Sequence, residues 1–185
     1  MRIISGTLGG RRFDPPNNPL TRPTTDVAKT GLFNILNHNF DFNGLAVLDL
    51  FCGTGNISYE FISRGAGEVI AVDADLACIN FIKKTCEKFK ITKIEAIKGD
   101  AFSFLDRNKK TFDIIFIDPP YAIETIDQIP DLILDKKLLN DDGWLILEHD
   151  AHHKFEEHPH FLRSRNYGTT IFSIFTNEIK AKSDA

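Results

Sequence analysis

The strongest constraint on this chain is an alternation that begins near residue 45. Short, largely apolar runs occur at Leu45–Leu50, Val69–Val72, Ile94–Ile97, Ile114–Ile117 and Trp144–Leu147. Each is too short for a stable helix and apolar on both faces, so each reads as a buried strand. Helical stretches separate them: one reaching about Arg64, one from about Leu76 to Phe89, and two near 102–107 and 124–137. Such interleaving implies a parallel sheet covered by helices on both faces. The tail differs. Segments 161–166 and 170–176 flank Tyr167-Gly168 and read as an antiparallel hairpin. The expected fold is α/β: a mostly parallel seven-stranded sheet with a C-terminal antiparallel hairpin.

The first 24 residues read as a separate N-terminal β-hairpin and basic arm, with the main domain at 25–185. Gly9-Gly10 divides two short β-like runs, and Pro15-Pro16-Asn17-Asn18-Pro19 reads as loop. Thr24 or Thr25 can cap a helix in which Val27, Ala28, Gly31, Leu32, Ile35 and Leu36 recur at helical spacing.

A length of 185 residues suits one core. No segment approaches the roughly 20 apolar residues of a membrane span, and no long apolar signal region opens the chain. A cytoplasmic protein is expected. Cys52, Cys78 and Cys86 form no Cys-x-x-Cys pair, and an odd count argues against a disulfide framework. The formal charge of −4 does not advertise a nucleic-acid binder. Its distribution says more. Residues 1–37 hold Arg2, Arg11, Arg12, Arg22 and Lys29 against only Asp14 and Asp26. A basic arm on an acidic body can contact phosphates, or it can be a solvated hairpin.

Three strand ends carry the chemistry. Asp49-Leu50-Phe51-Cys52-Gly53-Thr54-Gly55 follows the first run and opens a helix. Gly53 and Gly55 allow a tight turn and close approach of a ligand. A dinucleotide fingerprint needs a third glycine at position 58, where Ser58 stands, and no P-loop lysine follows. Asp49 suits an ammonium or amide rather than a pyrophosphate. Asp73 ends the second run, where a carboxylate can accept from both ribose hydroxyls of a nucleoside cofactor, with Ala74 and Asp75 beside it. That supports NAD and S-adenosylmethionine alike. Asp75 and Asp100 can also simply cap the helices that follow them.

Ile117-Asp118-Pro119-Pro120-Tyr121 ends the fourth run. Two prolines stop the strand and stiffen the turn. The Asp118 carboxylate and the Pro119 carbonyl can both accept hydrogen bonds from one amino group, and Tyr121 can stack on a flat base. An exocyclic amino group is a poor nucleophile, because its lone pair is delocalised into the ring. Two acceptors that hold its hydrogens favour a pyramidal nitrogen aimed at an electrophilic methyl. Methylation at a base carbon usually needs a cysteine nucleophile, and no cysteine lies near this segment.

End to end, the chain resembles the RsmD family of small-subunit rRNA (guanine-N2)-methyltransferases. The resemblance rests on Met1-Arg2-Ile3-Ile4-Ser5-Gly6, Gly9-Gly10-Arg11-Arg12-Phe13, Arg22-Pro23-Thr24-Thr25-Asp26, Leu32-Phe33-Asn34-Ile35-Leu36, the glycine loop, Asp118-Pro119-Pro120-Tyr121 and the tail around Tyr167-Gly168. It implies a class I, Rossmann-like fold that uses S-adenosylmethionine to methylate N2 of a guanine in 16S rRNA, within the small ribosomal subunit. It implies a catalytic segment at Asp118, Pro119, Pro120 and Tyr121. It implies cofactor contacts from Asp49, Phe51, Gly53, Gly55, Asp73, Ala74, Asp100 and Ala101, the last two at the adenine. RNA contacts are expected from Arg2, Arg11, Arg12, Arg22, Thr24 and Asp26, although Arg22 can equally pack the arm onto the domain. A monomer without metal or obligate protein partner is expected. The chain departs from the family at Thr30-Gly31, which follows Lys29 where a glutamate is usual; Gly31 is a weak helix former.

Two other readings fit parts of the pattern. A DNA adenine-N6 methyltransferase shares the Asp-Pro-Pro-Tyr chemistry, but it usually carries a target-recognition region and flips its base out of a duplex. A non-catalytic RNA-binding or assembly protein would keep the fold without needing the intact loop, Asp73 and Asp118. His149, His152, His153, His158 and His160 match no defensible metal spacing and read as a solvated connector. Glu148 reads as structural, Lys83–Lys90 as an exposed helix face, and Trp144 as packing on the sheet.

Overall fold

A computed structural model of the chain describes residues 1–15, 25–120, 123 and 125–180. Seven strands form one sheet: β1 Ala46–Leu50, β2 Glu68–Asp73, β3 Ile94–Lys98, β4 Phe112–Ile117, β5 Leu139–His149, β6 Phe161–Tyr167 and β7 Thr170–Phe175. Their order is β3-β2-β1-β4-β5-β7-β6. Strands β1 to β5 pair in parallel, and β7 enters antiparallel between β5 and β6. This is the expected Rossmann-like sheet with its C-terminal hairpin, and the later strand of that hairpin sits inside. Winding runs outward from β1 in both directions, so the chain reverses between β1 and β4. A crevice opens above the carboxyl ends of those two strands, where ligands bind in such folds.

Five helices cover the sheet: α1 Asp26–Asn39, α2 Asn56–Arg64, α3 Leu76–Phe89, α4 Ala101–Arg107 and α5 Ile129–Asp135. Alternate strand residues feed two cores, as the two-residue pleat requires. Leu48, Leu50, Ile115, Ile117, Leu145 and Leu147 pack with Leu105 of α4 and Ile133 of α5. Val47, Ile114, Phe116 and Ile146 face the other way, onto Leu32, Phe33 and Leu36 of α1 and Phe61 of α2. Trp144 joins that second core.

The structure corrects several expected details. The stretch 124–137 is not one helix but a 3-10 turn at Ile126–Gln128 and the short α5, with Pro130 in its first turn. The fifth strand is longer than its apolar run, because residues 139–143 pair ahead of it across an irregularity. On α1, Val27 is 73% exposed while Lys29 and Phe33 are fully inside. The small N-terminal β-hairpin is present as expected: Arg2 and Arg12 form an antiparallel bridge, flanked by backbone bonds from Ile3 N–H to Arg11 O and from Phe13 N–H to Met1 O.

Residues 1–13 pack against α2 and α3. Ile3 and Phe13 are buried beside Tyr59 and Ile82. Backbone N–H groups of Ile4 and Ser5 donate to the Glu60 carboxylate at 2.8 and 3.1 Å, and Leu8 N–H donates to Ser63 Oγ at 2.9 Å. The expected boundary at residue 24 lies outside the described residues. The three thiols are free, with Cys52 and Cys78 buried. Among the described residues, no helix is long and apolar enough to cross a membrane.

Candidate active site

The loop after β1 is shaped by left-handed backbone. Phe51, Gly53 and Gly55 have φ of 58°, 52° and 83°. Gly55 begins α2 without a side-chain cap, and no acidic residue sits in that first turn. The positive end of the helix dipole there favours an anionic group, and the buried Asp49 accepts from the Ser58 N–H of that first turn. Asp73 fixes the loop from the neighbouring strand. One oxygen accepts from Gly53 N–H at 2.8 Å and the other from Asp75 N–H at 2.8 Å. Each carboxylate oxygen keeps a second lone pair for a ligand hydroxyl.

Asp49 lies beneath this loop, fully buried, and accepts a hydrogen bond from Ser58 Oγ. Burial pushes its carboxyl group up to about 7, against the opposing effect of the Ser58 bond. Asp100 is exposed and caps α4 through Ser103 N–H at 2.8 Å. Bonds from Ser103 hold its carboxyl below the usual range. Of its two readings, the capping one is realised, and acceptor capacity remains on the carboxylate. Ala74 is exposed and Ala101 is buried. The rings of Phe51 and Phe102 meet edge to face at 6.3 Å.

Asp118 follows β4 directly, and its N–H donates to Leu50 O at the end of β1. Pairing of Ile117 with both Leu50 and Leu147 puts Asp118 level with Glu148 on β5. Burial raises the Asp118 carboxyl well above the ordinary range, and the negative charges of Glu148 and then Asp49 raise it further. Glu148 is itself buried and accepts from Thr170 Oγ1 at 3.3 Å. Sequence reading set Glu148 aside as structural; only the register across thirty residues brings it to Asp118. Pro119 is buried and Pro120 exposed, and the Pro120 carbonyl accepts from Ile123 N–H at 3.0 Å. Tyr121 lies outside the described residues.

The expected RNA contacts are less free than their sequence suggests. Arg2 Nε donates to Asp26 at 2.8 Å, so two of them pair with each other. The Arg11 guanidinium sits over the Phe89 ring at 5.0 Å. Arg12 is exposed. Arg22 and Thr24 lie outside the described residues. Sequence reading also missed a buried cation. Lys29 Nζ donates to Arg2 O at 2.6 Å and Asn56 Oδ1 at 2.8 Å, and lies 3.5 Å from Glu60. Asn56 is the residue after Gly55, so this network ties the N-terminal segment to the glycine loop. The histidines have other work: His153 pairs with Asp127, His158 with Asp131, and His149 with Ser173 Oγ.

The family model described as conserved hypothetical protein 95 matches residues 1–176. The chain belongs to this family, the RsmD family. YlbH of Bacillus subtilis strain 168 is 35% identical over 182 residues, covering 95% of this chain and 98% of its own length. Ribosomal RNA small subunit methyltransferase D of Escherichia coli strain K12 is 27% identical over 188 residues, covering 100% and 94%. Among solved structures, yhhF from Escherichia coli superposes with a TM-score of 0.85 at 24% identity, covering 97% of this chain and 99% of that one. The match carries the fold across the whole described sheet.

Proposed function

We propose that this chain transfers a methyl group from S-adenosylmethionine to the exocyclic N2 amino group of a guanine in 16S rRNA of the small ribosomal subunit. The observation that carries most weight is the position of Asp118. It follows β4 at the reversal point of the sheet, beside the glycine loop, in a family whose Escherichia coli relative is a small-subunit rRNA methyltransferase.

The residues present fit the cofactor. The uncapped start of α2 suits the amino-acid carboxylate, Asp49 the ammonium, Asp73 the ribose hydroxyls, and Asp100 the adenine amino group. Phe51, Phe102 and Ala101 offer flat or small walls for the ring. When bound, S-adenosylmethionine supplies an electrophilic sulfonium methyl. An approaching ammonium favours the charged form of Asp49, so cofactor binding should release a proton near neutral pH.

Asp118 and the Pro119 carbonyl accept the two amino hydrogens and orient the nitrogen lone pair. The aromatic side chain of Tyr121 is suited to stack on the base. As nitrogen takes the methyl, the carbon–sulfur bond would break with its electron pair left on sulfur, and nitrogen would carry an extra proton. Asp118, whose proton affinity is raised by burial and by Glu148, is suited to accept it.

The test is methyl transfer from tritiated S-adenosylmethionine to small subunits, protein-free 16S rRNA and duplex DNA, with digestion to nucleosides. Label in N2-methylguanosine is the expected result. Label in N6-methyladenine of DNA would move the chain to that other chemistry. No label in any substrate would leave an assembly or RNA-binding role.

A further inference from the structure

We propose that the groove between α1 and β6 cradles a single-stranded RNA segment flanking the methylated nucleotide. The proposal rests on the rRNA reading above and names a surface for it. It begins from the N-terminal segment, where Arg2 is paired with Asp26 and Arg11 rests on the Phe89 ring, so further contacts to a long substrate are sought elsewhere.

The groove has the missing chemistry. Asn34, His38 and Asn39 line it from α1, and Arg163 and Tyr167 from β6. Among the described residues no carboxylate lines it, on a chain with 26 acidic residues. Arg163, Arg165 and Tyr167 alternate along β6, so they share one face of that edge strand. Among the described residues, neither arginine forms an ion pair. The Arg163 guanidinium carbon lies 4.9 Å from the centroid of the Trp144 ring, and its buried Nε has no hydrogen-bond partner among the described residues. Stacking positions the guanidinium, and its NH2 groups can donate to a phosphate oxygen. Amides and histidine can read bases and riboses, tyrosine can stack, and arginine binds phosphate.

Direction links the groove to the candidate active site. β6 is two antiparallel steps from β5, so the two run the same way. Tyr167 therefore lies at the carboxyl end of the sheet, paired with Thr170, whose hydroxyl reaches Glu148. The wall of the groove is also kept thin there. A Cβ on Gly31 would sit 2.2 Å from Tyr167 Cζ, so this weak helix former is what lets the ring lie against α1. A strand leaving Asp118 can pass Tyr167 and run down between the helix and the edge strand.

The test uses exposed positions, Arg165→Glu and His38→Glu, with Lys83→Glu on exposed α3 surface as a control of similar charge change. Binding of radiolabelled, protein-free 16S rRNA is measured by filter retention at several salt concentrations. S-adenosylmethionine affinity is measured by calorimetry, and folding by thermal melting. The groove variants should bind rRNA roughly tenfold more weakly, with a log–log salt slope shallower by about 0.7 per lost phosphate contact. Cofactor affinity, melting temperature and the Lys83→Glu control should stay at wild-type values. Unchanged rRNA affinity in both groove variants would overturn the proposal. So would weakened binding to the assembled particle with unaltered binding to protein-free rRNA, which would assign the groove to a ribosomal protein. These readouts need no turnover. If the wild-type protein methylates no RNA, the proposed reaction fails while the binding result still judges the groove.

Discussion

Two sets of carboxylates stand along one edge of the sheet, and they behave in opposite ways. On the cofactor side, Asp73 and Asp100 accept backbone N–H groups of their own loops. Deeper in the crevice, Asp49, Asp118 and Glu148 are crowded at the ends of β1, β4 and β5, where burial raises both aspartates and the charges of Glu148 and Asp49 raise Asp118 further. The same side-chain chemistry thus yields backbone-bonded acceptors in one set and, in Asp49 and Asp118, groups of raised proton affinity in the other. Backbone donors stabilise a charge, while low dielectric and like neighbours oppose it. An edge built this way can hold a cationic, hydroxyl-rich cofactor and still handle a proton a few residues away.

The comparison breaks most sharply at Asp118. Asp118→Ala should lower kcat by a hundredfold or more, about the loss seen when one transition-state hydrogen bond is removed. Cofactor affinity in calorimetry should hardly change; a parallel loss of affinity would mean the two halves are not separable. Asp73→Ala should do the reverse. Losing charged hydrogen bonds there should weaken S-adenosylmethionine roughly tenfold to a hundredfold, with kcat at saturation nearly retained.

Asp49 sharpens the contrast through pH. Its folded-state carboxyl, at about 7, lies above its ordinary value near 4, so the folded protein holds the proton longer. Its contribution to stability is fully present below the ordinary value and is lost as pH rises through about 7. Asp49→Asn should therefore flatten the fall in melting temperature between pH 5 and pH 8, by several degrees at most. An unchanged slope in thermal melts would show that Asp49 is ionised throughout. The smallest effect belongs to Asp100. Asp100→Ala should cost about 1 kcal/mol in denaturant unfolding through the lost cap. If cofactor affinity is untouched as well, the capping role is its whole role.

Much of the fold was legible because it is written in local patterns. Apolar runs of four to six residues placed the first five strands, the flanks of Tyr167-Gly168 placed the last two, and the glycine loop, Asp73 and Asp118 stand at the strand ends where the sequence puts them. What escaped depends on distance. Nothing local to Lys29 says that a cation will be buried; Glu60, Asn56 and the Arg2 carbonyl make that possible. Glu148 gained its place beside Asp118 from register alone. Gly31 looked like a defect in α1 until Tyr167, 136 positions later, proved to need the space. Nor does sequence show that Arg2 pairs with Asp26 or that Arg11 rests on Phe89.

The seam that Glu60 and Ser63 make with residues 4–8 also sets an order of events during synthesis. Ile4, Ser5 and Leu8 have no acceptor for these N–H groups until a stretch more than fifty residues downstream has emerged and turned into α2. At about 5–20 residues per second, that is a wait of roughly 3–10 seconds. During that interval Ile3, destined for full burial, is exposed to chaperones and proteases. A change that slows α2 should therefore be felt first as cleavage or aggregation near residue 3, far from the helix that caused it.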